Sequence, residues 1–162
     1  MIIGISGSHG TGKTTFLYNL AHELKVKHPD KTLKIINEII RDCPFPIFSK
    51  NNQATIESQM WAFGSQIKKE MEAKKNDIVL MDRTIFDVVA YTMEINKNLA
   101  NDMLKIANHL YYDLIYFIRP KKNFFHDDGQ RSLKSSLQIK IDENLRKLLY
   151  SSNKIKEIKI IK

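Results

Sequence analysis

A glycine-rich stretch near the start of the chain, residues 7–14, has the residue types that bind phosphate. Its sequence, GSHGTGKT, fits the pattern G-x-x-x-x-G-K-[S/T]. Glycines let the backbone curl so that several N–H groups point at phosphate oxygens and form an anion-binding nest. Lys13 supplies an ammonium for the β- and γ-phosphates, and the Thr14 hydroxyl is a ligand for Mg²⁺. The candidate cofactor-binding residues are those of this loop and its continuation: Gly7, His9, Gly10, Thr11, Gly12, Lys13, Thr14 and Thr15.

A carboxylate and a guanidinium follow an apolar run at residues 78–81. Asp82 in this position is typical of a residue that binds Mg²⁺ directly or through water, and a helix N-cap is the alternative. Motor-type ATPases often place a water-activating glutamate next, whereas this chain has Arg83, which cannot act as a base. Arg83 is suited to bidentate binding of a phosphate or carboxylate, with a structural ion pair as the alternative. This pair of residues favours transfer to an acceptor over hydrolysis.

A second acidic residue, Glu38, ends an apolar run at residues 33–38. Kinases that act on a hydroxyl use a carboxylate to orient it and accept its proton, so Glu38 is the candidate general base. An exposed acid at a strand end is the alternative. Arg41, three residues later, is a candidate acceptor-binding residue or a structural one.

A polar loop at residues 121–132 follows an apolar run at residues 114–118. A lid that brings Arg131 onto the transferring phosphoryl group would stabilise charge and exclude water. Asp128 would close this lid or contact a ribose. Arg119 would join the phosphate contacts, with a structural ion pair as the alternative. A solvated loop with a helix cap is the alternative.

These residues need a scaffold, and the pattern alternates strand and helix, which predicts an α/β fold with a mainly parallel sheet. Strands are predicted at residues 1–6, 33–38, 78–81, 114–118 and 155–161. Helices are predicted around residues 16–24, 53–75, 86–93, 99–110 and 137–148. In the second helix, the apolar spacing of Ile56, Met60, Phe63, Ile67 and Met71 predicts the buried face. Because ligands bind beyond the carboxyl ends of parallel strands, the candidate residues at those ends are expected to converge.

The overall composition bounds the remaining possibilities. The chain has 162 residues and is predicted to form a single domain over residues 1–162. One cysteine excludes an internal disulfide and fits a reducing cytoplasm, and the absence of a leader-like or membrane-spanning run agrees with a cytoplasmic protein. The formal net charge of +8 is interpreted as a solvated lysine-rich surface, with a nucleic-acid footprint as the alternative.

The motifs together resemble the P-loop nucleoside and nucleotide kinases. They are GSHGTGKTT at residues 7–15, Glu38-x-x-Arg41, Asp82-Arg83-Thr84, and Asp-Gly-x-Arg at residues 128–131. The chain is most similar to the small AAA-type group that includes the ribosylnicotinamide kinase domain, and less so to deoxynucleoside and thymidylate kinases. The resemblance implies a three-layer α/β/α fold with a five-stranded parallel sheet of order 2-3-1-4-5, and Mg-ATP as donor. It also implies that Glu38 is the base, that Arg83 lies near the acceptor and phosphates, and that Arg131 acts from the lid.

The sequence therefore predicts an ATP-dependent phosphotransferase acting on a nucleoside, nucleotide or related small molecule. Lys13, Glu38, Arg83 and Arg131 would be catalytic, and Thr14 and Asp82 would hold Mg²⁺. Substrate would be bound by Glu38, Arg41, Arg83 and Asp128. Two alternatives stay open: a polynucleotide-end kinase or nucleic-acid-linked ATPase, and a regulatory nucleotide-binding protein without transfer activity. No membrane partner is expected, and a homodimer is one possible oligomeric state.

Overall fold

Five parallel strands form the central sheet of the protein. They are β1 (Ile2–Ser6), β2 (Leu33–Ile36), β3 (Ile78–Asp82), β4 (Leu114–Ile118) and β5 (Ile158–Ile161). The structure is a computed structural model, and it describes residues 1–47, 54–120 and 132–161. The strand order is β2-β3-β1-β4-β5, with every pairing parallel, so the order expected from the resemblance is confirmed.

Helices connect the strands in chain order. They are α1 (Lys13–Lys27), α2 (Ile56–Ala73), α3 (Ile85–Met93), α4 (Lys97–Ala107) and α5 (Ser132–Ser151), with a short 3-10 helix at Ile39–Asp42. All five predicted helices are present within a few residues of their predicted ends. The second strand is shorter than predicted because the chain turns after Ile36, which makes Glu38 the N-cap of the 3-10 helix.

The core occupies both faces of the sheet because successive strand residues point to opposite sides. On one face, Leu17 and Ala21 of α1 pack against Ile3, Ile5 and Leu80. On the other face, a larger cluster joins α2, α3, α4 and α5 to the sheet, with Tyr112, Phe86 and Phe117 among its fully buried side chains. Helices on both faces make the three-layer arrangement that the resemblance implies.

Helix α2 buries only part of the apolar face that its sequence spacing predicts. Phe63 is buried and Ile67 packs against the core, but Ile56, Met60 and Met71 are 41%, 55% and 59% exposed. The inward-facing residues include several polar ones: Ser58, Gln59, Gln66 and Glu70. The prediction fails because the inner face of α2 lies against hydrogen-bonding groups near the end of β3, which require polar partners.

The carboxyl ends of the parallel strands lie along one edge of the sheet. Backbone pairing aligns Ser6 with Phe117 and Ile5 with Asp82, so the residues that follow β1, β3 and β4 are neighbours. Among the described residues, no helix combines the length and apolar character needed to span a bilayer.

Candidate active site

The glycine-rich loop connects β1 directly to α1. At Gly7, φ is 149°, and a Cβ built there would lie 2.3 Å from the carbonyl oxygen of Ile118. The main chain of β4 therefore packs so closely on the loop that only glycine fits. Gly12 is the N-cap of α1 with φ of 82°, a left-handed conformation that glycine adopts without strain. The loop thus leads into the N-terminus of a helix, where free N–H groups and the helix dipole favour an anion.

Lys13 is folded back along the same loop. Its side chain is 6% exposed, and Nζ donates to the main-chain oxygen of Ser8 at 2.6 Å. Burial, followed by the nearby positive charge of Arg83, lowers the pKa of the Lys13 ammonium to about 8. A phosphate group bound in the loop would add to the negative charge of the nearby carboxylates and favour the protonated form of Lys13.

Thr14 and Asp82 form a pair of oxygen ligands beside the loop. The Thr14 hydroxyl donates to Asp82 Oδ2 at 2.6 Å, which joins the first turn of α1 to the end of β3. The other carboxylate oxygen, Asp82 Oδ1, is buried and has no hydrogen-bond partner in the described part of the chain. Hydroxyl and carboxylate oxygens are the donors that Mg²⁺ prefers, and a buried carboxylate oxygen without a partner fits a cation site. Mg²⁺ there would still need nucleotide oxygens and waters, since the described chain has no cluster of three or more metal-binding side chains.

Glu38 lies between two arginines. Its Oε2 accepts from Nε of Arg41 at 2.8 Å, and its Oε1 accepts from Nε of Arg83. Burial alone raises the pKa of the Glu38 carboxyl, but the charges and hydrogen bonds of Arg83 and Arg41 outweigh it and leave the pKa below its usual value. Glu38 is therefore ionised at neutral pH, as a proton acceptor must be.

Arg83 has an unusual backbone conformation. It has a φ of 83°, and it is the one non-glycine residue with positive φ among those described. Its guanidinium donates to the carbonyl oxygen of Gly7 at 3.3 Å and lies 5.3 Å from the centre of the Tyr91 ring. Arg83 thus contacts both the phosphate loop and Glu38. Its position is compatible with both candidate roles, acceptor binding and formation of an ion pair.

Asp87 links the phosphate loop to α3, and the sequence interpretation did not identify it. The carboxylate is fully buried; Oδ1 accepts from the Gly7 main-chain N–H at 3.1 Å, and Oδ2 accepts from the Thr84 N–H and hydroxyl at 2.8 Å each. Thr84 and Asp87 form a capping box at the start of α3. The spacing Thr-x-x-Asp after an apolar strand is the signal that would have found it.

Two cavities meet at Glu38. The first, of about 500 Å³, is mainly apolar and lies between the loop, α2 and α3. Its polar lining is Glu38, Gln59, Arg83 and Asp87, together with His9 and Tyr91, whose Nδ1 and hydroxyl are 3.2 Å apart. The second, of about 900 Å³, is a polar groove along the edge strand β2 that reaches Thr14 and Asp82. An apolar cavity with a few converging polar groups is typical of a small-molecule site.

The structure brings together most of the predicted site residues, but it does not bring all of them to the phosphate loop. Arg119 follows β4 next to the loop, yet its guanidinium is paired with Asp142 on α5, with Nη2 and Oδ2 at 2.5 Å. The Arg41 side chain is 69% exposed. Asp128 and Arg131 of the predicted lid lie outside the described residues. Of three aromatic side chains that could stack on a base, Phe63 belongs to the core, Trp61 packs against the core, and Tyr91 lines the apolar cavity.

Comparison with known proteins agrees with this architecture. A model of the AAA domain family matches residues 2–160. The chain superimposes on thymidylate kinase from Ehrlichia chaffeensis with a TM-score of 0.65 and 16% identity, covering 99% of this chain and 87% of that one. It also superimposes on deoxyadenosine kinase from M. mycoides, solved with the products dCMP and dCDP, with a TM-score of 0.66 and 16% identity, covering 100% and 90% of the two chains. No curated protein has significant sequence similarity to the chain. The expected resemblance to the P-loop nucleotide kinase-like NTPases is confirmed in family and fold.

Proposed function

Because the chain belongs to the AAA domain family, we propose that it is an ATP-dependent phosphotransferase whose acceptor is a nucleoside, a nucleotide or a related small molecule. The observation that carries this proposal is the position of the Glu38–Arg83 ion pair, which contacts the phosphate loop and also lines the apolar cavity of about 500 Å³. A group at this position can act on the donor and the acceptor together.

The donor side of the proposal depends on the glycine-rich loop. Its main-chain N–H groups, Lys13 and the N-terminus of α1 would bind the triphosphate. Thr14 and Asp82 would hold Mg²⁺, which when bound bridges phosphate oxygens and neutralises their charge. Lys13 would be protonated in the complex, because the negative charge of the phosphates offsets the loss of hydration that lowers the Lys13 pKa.

The acceptor side depends on the apolar cavity. A planar, largely apolar molecule fits a cavity with Ile40, Ala62 and Val88 in its walls. The amide of Gln59 can form hydrogen bonds with polar atoms at the edge of that molecule. Glu38 would orient the acceptor hydroxyl and take its proton, while Arg83 would bind the phosphoryl group or the acceptor phosphate. The deoxyadenosine kinase and thymidylate kinase likenesses support an acceptor of this class.

Two residues near the phosphate end of the site, Arg83 and Glu38, favour transfer over hydrolysis. The position after Asp82, where a hydrolase would have its water-activating acid, has an arginine whose guanidinium is already bound to Glu38. Glu38 in turn lines the apolar cavity. Its carboxylate would therefore accept a proton from an organic acceptor bound in that cavity as well as from water.

The test is a panel of nucleosides, nucleotides and short oligonucleotides assayed with Mg-ATP for a phosphorylated product. We expect turnover with at least one acceptor, its loss in Lys13→Ala with the fold intact by circular dichroism, and no change in the control Lys27→Ala, an exposed lysine on the same helix. ATP consumption that is equal with and without every acceptor would replace this proposal with an ATPase. ATP binding without consumption would replace it with a regulatory nucleotide-binding protein.

The polar groove along β2 favours one second candidate, a polynucleotide-end kinase, because Lys34, Lys69 and Lys75 line it and the formal net charge is +8. Lys69, however, is paired with Asp42, so the groove is not uniformly positive. Salt dependence separates the two candidates: oligonucleotide turnover would fall steeply between 50 and 200 mM salt, on the order of 10³-fold for several phosphate contacts, and nucleoside turnover would not.

A further inference from the structure

A buried acid on α2 has no part in the chemistry described so far. Glu70 is 5% exposed, and the groups that bind its carboxylate in the described part of the chain are neutral. Its Oε1 accepts from Nε2 of Gln66 at 2.8 Å, and its two carboxylate oxygens accept from the hydroxyl of Tyr112 at 2.8 and 2.9 Å. Burying a carboxylate that is not paired with a cation lowers the stability of the folded protein. We therefore expect Glu70 to have a role other than stabilising the fold.

Both partners of Glu70 also bind the main chain next to the site. The second N–H of the Gln66 amide reaches the carbonyl oxygen of Arg83 at 3.4 Å. The Tyr112 oxygen accepts from the main-chain N–H of Ile85 at 3.1 Å. The carboxylate thus fixes the orientation of two groups that contact the backbone on either side of Thr84.

The segment that these groups contact is the strained one. Arg83 has a φ of 83°. Residues other than glycine, asparagine and aspartate rarely adopt this conformation without support from their surroundings. In this conformation its guanidinium reaches Glu38 and the carbonyl oxygen of Gly7. An extended or helical conformation at residue 83 would direct the side chain elsewhere.

We propose that Glu70 is a positioning residue that, through Gln66 and Tyr112, holds the main chain of residues 83–85 in the conformation that aims Arg83 at Glu38 and the phosphate loop. The part of this inference that concerns turnover rests on the proposed function, whereas the part that concerns the main chain does not.

The charge state of Glu70 should change how well it performs this role. A carboxylate accepts from both donors, but a protonated carboxyl has an O–H of its own and gives up an acceptor position. Burial raises the pKa of Glu70 to about 7, although the hydrogen bonds from Gln66 and Tyr112 and the charge of Lys74 act in the opposite direction. Among the described residues, the other charged groups near this network are Asp87, whose charge acts on Tyr112, and Arg83 itself. We expect the positioning to improve as the pH rises through about 7.

The principal experiment compares the wild type with Glu70→Gln, which has the shape of the protonated form and cannot titrate. The acceptor KM is measured at saturating ATP from pH 5.5 to 7.8. In the wild type we expect the acceptor KM to fall as the pH rises, and in Glu70→Gln we expect it to stay near the low-pH value, about tenfold above the wild type at pH 7.8, the effect of losing roughly one buried hydrogen bond. His9, which lines the cavity, is present in both proteins, so its titration cancels in the comparison. The control Glu57→Gln makes the same chemical change at an exposed position of α2 and should behave as the wild type.

Amide hydrogen exchange at Ile85 tests the inference without any turnover. Glu70→Gln and Tyr112→Phe should each raise the Ile85 exchange rate at least several-fold, and exchange in the wild type should slow, relative to the control amide of Leu17, as the pH rises through 7. An unchanged Ile85 rate and an unchanged KM profile in Glu70→Gln would overturn the inference. If no acceptor is turned over, the proposed function fails and the exchange data still decide this inference. If both variants fail to fold, the wild-type titration decides it.

Discussion

At the scale of single residues, the site is a chain of alternating charges. Arg41, Glu38, Arg83 and Asp87 follow one another, with N–O distances of 2.8 Å at the Arg41 end and 3.7 Å between Arg83 and Asp87. The two inner members have side chains that are 13% and 14% exposed, so each depends on its neighbour for a counter-charge. Removing one member therefore alters chemistry and stability together.

Glu38→Gln, compared with the same substitution at an exposed acid, separates the effect on chemistry from the effect on stability. We expect kcat to fall between 10²- and 10⁴-fold, because an amide cannot accept the acceptor's proton, while the KM for ATP changes little. Unfolding should also occur more easily, because Arg83 then loses the nearer of its two acidic partners and keeps only Asp87, at 3.7 Å. Steady-state kinetics and denaturant unfolding provide both measurements.

The matched control is Glu23→Gln, an exposed acid on α1 that should leave both measurements unchanged. A Glu38→Gln enzyme with wild-type kcat would exclude Glu38 as the general base and leave it an ion-pair partner of Arg83.

At the scale of elements, the start of α3 is the connection between the phosphate loop and the rest of the site. Thr84 caps the helix and Asp87 accepts from both Thr84 and the Gly7 N–H, so one buried carboxylate joins two segments 80 residues apart. The loop is therefore positioned by α3 as well as by the strand and helix that adjoin it in sequence.

Asp87→Ala should destabilise the protein by roughly 3 kcal/mol, because it leaves the buried N–H groups of Gly7 and Thr84 without an acceptor. Guanidinium unfolding followed by circular dichroism measures the change. Asp102→Ala is the control: Asp102 is exposed and pairs with Lys105 within one helix, so its loss should cost less than about 1 kcal/mol. Equal stability losses in the two variants would show that the buried link contributes nothing beyond a surface ion pair.

At the scale of the whole molecule, the sequence predicted what depends on strand order and missed what depends on side-chain partners. Glu38, Asp82 and Arg83 converge because parallel strands end at one edge, a rule that needs no coordinates. Arg119 was expected at the phosphates or in an ion pair, but its partner Asp142, which is 23 positions away on α5, was not predicted. The apolar spacing of Ile56, Met60 and Met71 predicted the wrong buried positions, because the inner face of α2 carries polar residues of a buried hydrogen-bond network. Such partners are set by tertiary packing, and no spacing within one segment encodes them.

The stability of the whole chain should depend on pH through Glu70. Its pKa is about 7 in the folded protein, above the ordinary glutamate value of 4.5, so between these two pH values the folded state binds the extra proton. This contribution is fully present below about pH 4.5 and is lost as the pH rises through 7. It amounts to at most roughly 3.5 kcal/mol, since one pKa unit corresponds to about 1.4 kcal/mol.

Urea unfolding at pH 5.5 and 8.5 measures this dependence. The free energy of unfolding of the wild type, relative to that of Glu70→Gln, should be lower at pH 8.5 than at pH 5.5. A difference that is the same at both pH values would show that Glu70 titrates in the folded protein as it does in the unfolded chain.

The two outer strands of the sheet give the positive charge of the protein a further meaning. β2 and β5 each have one side without a neighbouring strand among the described residues, and each is an apolar run interrupted by an exposed lysine, Lys34 in one and Lys159 in the other. A charge in the middle of an open strand opposes its pairing with the same strand of another molecule. Replacing either lysine by valine would give four consecutive aliphatic residues on an unprotected edge, so these two lysines oppose fibre-like self-association through the open strands.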